Sequence, residues 1–158
     1  MTSGRVGNVN NAQETNVGQI GSNRKKYYRL LFFISAAING LAGVSYILAF
    51  EHVSESFRVE SVPTTPLLAM YAGLFGLAVL LFGMAYFVAG CRPEAEHSFW
   101  LILLGAIGKC SVFSLMLYYV VVNDVTWQHA GATFVFDALF ACLFVEYLIW
   151  HRRVMTTH

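Results

Sequence analysis

Residues 66–90 read PLLAMYAGLFGLAVLLFGMAYFVAG, without one charged or amide side chain. At about 1.5 Å per residue, a helix of that length reaches across the roughly 30 Å hydrocarbon layer of a bilayer. A strand reading fails, because a barrel needs at least about eight strands with apolar and polar residues alternating. Hydrocarbon also leaves an open backbone group without a hydrogen-bond partner, so a helix is what remains.

Working outward, residues 27–50, 98–122 and 130–150 form further apolar runs of the same kind, each about 20–25 residues long. The whole chain has 158 residues, 57% hydrophobic and only 12% charged; a soluble domain carries about 25% charged residues. The expected fold is all-α: an integral membrane four-helix transmembrane bundle occupying residues 24–153, antiparallel and up-down-up-down.

Orientation follows from Lys and Arg. With the N-terminus inside, the cytoplasmic side collects Arg5, Arg24, Lys25, Lys26, Arg29, Arg92, Arg152 and Arg153, while the opposite side holds Arg58. The positive-inside rule then places both termini in the cytoplasm, across a plasma or bacterial inner membrane. Residues 1–23, rich in Asn, Gly, Ser and Thr, bury too little apolar surface to offset ordering entropy and are expected as a disordered cytoplasmic tail. Residues 154–158 form a second, short tail.

The basic cluster at residues 24–29 abuts the first apolar run, where such clusters set topology, so nucleic acid is not an expected partner. Cys91, Cys110 and Cys142 have no CxxC spacing and suggest no disulfide framework. No GxSxG, HExxH or phosphate-loop motif occurs, and no histidine lies well inside an apolar run to ligate haem. No cofactor is expected, and an enzyme acting on a lipid or quinone ranks last among the functions considered.

In lipid, small residues mark helix contacts. Ala69, Gly76, Gly83 and Gly90 recur every seventh position of the second run, with Gly73 broadening the stripe. On the first run Ser35, Asn39, Ala42, Gly43 and Tyr46 share one side, expected to face inward. Gly105, Ala106 and Gly108 beside Lys109 are expected to admit a neighbouring backbone to the lysine stem.

Ionisable residues at mid-membrane depth are functional candidates by default. Asn39, Lys109 and Asp137 all lie roughly 17–20 Å from the cytoplasmic ends of their helices, so a Lys109–Asp137 pair with Asn39 beside it is expected, and Tyr46 and Ser111 complete the candidate polar core. Glu146 lies half a turn round from Asp137 and is expected to face headgroups or a partner. Outside the membrane, Glu51, His52, Asp124 and His129 offer metal-binding atoms, but their spacing matches no metal motif.

Two functions follow from this constellation. In the first the chain is a non-enzymatic accessory subunit of a larger membrane complex, or a homo-oligomer, and the polar residues hold the helices in register. In the second it is a transporter-like or small-ligand or lipid-binding bundle that uses the same residues as its site. Membrane lipid is the expected surrounding in both.

Overall fold

The computed structural model describes residues 7–50, 65–122 and 127–156, with side chains described over 22–50, 65–122 and 135–156. Four helices account for nearly all of them: α1 (Gly7–Leu48), α2 (Pro66–Cys91), α3 (Glu96–Val122) and α4 (Trp127–Met155). Three stretches are long and apolar enough to cross a membrane, namely Ser22–Leu48 of α1, and all of α2 and α3. Helix α4, whose side chains are described only from residue 135, is not among them; over that length it carries Asp137, Glu146, Arg152 and Arg153.

Two boundaries differ from expectation. Helix runs from Gly7, so residues 7–23, expected as part of an unordered tail, continue α1; adding turns to an existing helix avoids the cost of nucleating one. At the other end α4 continues to Met155, past the expected stop at residue 150, and the Thr156 hydroxyl donates to the carbonyl oxygens of Arg152 and Arg153. The start of α2 follows local chemistry: Pro66 occupies the first helical turn, and the Thr65 side chain caps it by accepting from the Leu68 amide at 3.2 Å.

Helices α1 and α2 touch backbone to backbone, and their contacts run in opposite senses along the two chains. A Cβ built on Gly43 would lie 2.7 Å from the Gly76 carbonyl oxygen, one on Gly83 3.1 Å from the Ala36 carbonyl oxygen, and one on Gly90 2.9 Å from the Phe33 ring. The seventh-residue stripe is therefore an α1 contact. Its two outliers are Ala69, which is exposed, and Gly73, where a Cβ would meet nothing within 4 Å; Gly73 does not broaden the face.

Aromatic side chains join α1 to α4. Tyr28 and Phe32 pack on Tyr147 with ring centroids 5.3 and 4.8 Å away, and Tyr28 lies 4.8 Å from Trp150. Phe144 extends this cluster to Tyr86 of α2. The α2–α3 connection is tied beneath it: the Tyr147 hydroxyl donates to the Pro93 carbonyl oxygen at 2.6 Å, and His151 Nε2 donates to that of Ala95 at 3.3 Å. Lys25 of α1 closes the same corner with an ion pair to Glu94 at 2.7 Å.

Partial burial raises the Glu94 carboxyl's proton affinity, but the Lys25 hydrogen bond, a backbone hydrogen bond and the charges of Lys25 and Arg92 outweigh it and hold the group below its ordinary 4.5. A carboxylate shifted this way contributes stability above its unfolded pKa and loses it as pH falls through the lower folded value. The pair is about half exposed, so its contribution is on the order of 0.5 kcal/mol. Glu94→Gln is accordingly expected to shift the unfolding midpoint slightly at pH 7 and not at all below the folded pKa, measured by denaturant titration at both pH values.

The glycine contact makes a larger prediction. Gly43→Ala is expected to destabilise by about 1–3 kcal/mol, because backbone on α2 must move. Gly40→Ala and Gly73→Ala, where a Cβ meets nothing within 4 Å, are expected to be neutral or stabilising by up to about 1 kcal/mol. Unfolding midpoints of the three purified variants check the contrast.

Candidate functional site

Helix α3 places Lys109 opposite Asp137 of α4, and Lys109 Nζ donates to Asp137 Oδ1 at 2.5 Å. The lysine side chain is 17% exposed and the aspartate 7%. The expected pair is thus directly bonded.

Asn39 reaches the same level on α1 and is buried. Its amide donates to the Ser35 carbonyl oxygen one turn back at 2.8 Å, so it turns to its own helix rather than to the pair. A helix residue whose side chain reaches its own i−4 carbonyl satisfies itself without leaving the helix. Ser35 does likewise, donating to Leu31 at 2.9 Å.

A cavity of about 310 Å³ adjoins the ion pair. Asn39, Ala42 and Tyr46 of α1 line one side, Lys109 and Val112 of α3 and Asp137 of α4 the other, and Phe75, Val79 and Phe82 of α2 contribute the wall between. Tyr86 and Phe140 close the end that faces the aromatic cluster, to which both also belong. At the rim stand Ile38, Phe75 and Phe136, all exposed.

Four of the expected polar residues meet here: Asn39, Tyr46, Lys109 and Asp137. Ser111 does not, being two residues past Lys109 and therefore turned away; it is exposed and outside the cavity. Glu146 is exposed, as its half-turn offset implies, yet it accepts from the buried Tyr28 hydroxyl at 3.0 Å. Its partner is thus a tyrosine of α1 within the chain. Glu51, His52, Asp124 and the side chain of His129 lie outside the described residues, among which no cluster of three metal-binding side chains occurs.

The residues that sequence reading missed are aromatic. Gly105 and Gly108 receive rings instead of the expected backbone: a Cβ on Gly105 would lie 2.5 Å from the Tyr86 ring, and one on Gly108 3.4 Å from Phe82. The signal was present in the pairing of small residues on α3 with large ones on α2, but sequence spacing does not say which partner fills a notch.

No family model, curated protein or solved structure matches the chain. The site must therefore be read from its own chemistry. It combines a neutralised charge pair, a lysine with donor capacity beyond its one carboxylate bond, a tyrosine hydroxyl and a largely apolar wall.

Removing one member of a buried pair strands the other, whereas removing both can be nearly neutral. Lys109→Met and Asp137→Leu are each expected to destabilise by about 3 kcal/mol, and the double variant by less than either. A double-mutant cycle on unfolding free energies measures this.

Proposed function

We propose that this chain is a four-crossing membrane protein, with both termini cytoplasmic, that holds a small lipid-soluble molecule in the cavity beside Lys109 and Asp137. The membrane-crossing character rests on the three long apolar helices. The fourth crossing and the orientation rest on the apolar run of α4 and the one-sided distribution of Lys and Arg.

One observation carries the ligand reading: the ion pair borders a cavity of about 310 Å³. A pair serving only to lock two helices needs no pocket next to it. The volume sits at the lower end of the range typical of small-molecule sites, roughly 300–1,000 Å³. Its composition fits that class too, with mostly apolar walls and a few convergent polar groups. The exposed rim of Ile38, Phe75 and Phe136 would open sideways, towards lipid.

Native mass measurement of the full chain released from mild detergent tests the reading. A small-molecule adduct is expected on the wild type and absent from the Lys109→Met/Asp137→Leu double variant. A wild-type chain that carries no adduct and travels stoichiometrically with a second protein would instead support the accessory-subunit function.

A further inference from the structure

Taking the cavity as a ligand site, its shape, size and charge narrow the chemistry of the occupant. Tyr46, Phe75, Phe82, Tyr86, Phe136 and Phe140 all line it. Aromatic walls favour flat conjugated guests, which stack or meet ring edges at favourable quadrupole geometry. A cavity of roughly 150 Å³ takes one benzene ring. At about 310 Å³, this one suits a fused two-ring system.

The polar end is set by the ion pair. Lys109 and Asp137 are bonded to each other, so the site has no net charge to match a charged ligand. A ligand carboxylate reaching Lys109 would stand against Asp137, and a ligand cation reaching Asp137 would stand against Lys109; either separates a pair that is mostly shielded from water. A neutral acceptor does neither. The ammonium group has three donors, of which Asp137 takes one, leaving donors for a carbonyl oxygen. The apolar rim also favours an uncharged molecule, since a charged one would be desolvated on the way in.

We propose that the cavity binds the ring of an uncharged, planar carbonyl compound of the quinone class, with a ring carbonyl oxygen accepting from the Lys109 ammonium group. The proposal is one of binding, and rests on the reading of the cavity as a ligand site.

Equilibrium dialysis of the full chain in lipid nanodiscs, with empty nanodiscs as the partition blank, tests it using three probes of matched ring size. Menadione carries the carbonyls, methylnaphthalene lacks them, and naphthoate replaces them by a carboxylate. Saturable menadione binding is expected, with methylnaphthalene and naphthoate about ten- to a hundredfold weaker, the range of one hydrogen bond to a charged group. The Lys109→Met/Asp137→Leu double variant, which leaves no stranded charge, should bring menadione down to the methylnaphthalene level. Ala42→Phe, which fills the cavity from α1, should abolish binding of menadione.

Equal binding of menadione and methylnaphthalene, or tightest binding of naphthoate, overturns the carbonyl assignment while leaving a ligand cavity in place. Menadione binding that survives Ala42→Phe puts the site elsewhere and overturns the proposal. Absence of saturable binding for all three probes overturns the proposal, and a native-mass adduct on the wild type then shows that the ligand reading stands without it.

Discussion

The approach of α1 to α2 at Gly43 and Gly76 governs the spacing of everything else. Neither glycine has room for a Cβ, because each would drive it into backbone of the opposite helix. In hydrocarbon no hydrophobic effect draws helices together, and close packing takes its place. The other seams are built differently. Tyr86 and Phe82 stand between α2 and α3, and Tyr28, Phe32, Phe144 and Tyr147 stand between α1 and α4. One seam is thus as narrow as the backbone allows, and these two are held apart by rings.

That inequality of spacing leads directly to the cavity. Where the rings are densest, around Tyr28, Tyr147 and Trp150, they fill the gap and bury one another. Further along the helices α1 presents Asn39 and Ala42, whose side chains are too short to fill the same width, and the space beside Lys109 and Asp137 remains. The aromatic cluster and the cavity are successive levels of one interior, sharing Tyr86 and Phe140 as the boundary between them. Ties from Tyr147, His151 and Lys25 to residues 93–95 hold the aromatic end, where the α2–α3 connection would otherwise be free to fray.

Much of the site was legible before the fold was known. Depth along a helix is a count of residues, so Asn39, Lys109 and Asp137 could be assigned to one level, and the few residues between the third and fourth apolar runs made a Lys109–Asp137 pair a plausible expectation. Rotation about the helix axis was also readable for Asp137 against Glu146, nine residues apart. It misled for Ser111, which lies two residues from the inward-facing Lys109 but more than half a turn away from it. The partner of Glu146 was out of reach for a different reason: Tyr28 is more than a hundred residues away, and no local pattern links a tyrosine at the start of one apolar run to a carboxylate at the end of another.

What the sequence determined by itself was the helical solution and its polar level, since lipid permits no unpaired backbone and makes each intramembrane charge conspicuous. The tertiary structure alone decided that this level holds a bonded pair beside a void, with Asn39 turned to its own helix. A void depends on the distances between helices, and those are set jointly by glycines on one seam and aromatic rings on others. No single run of residues contains that sum.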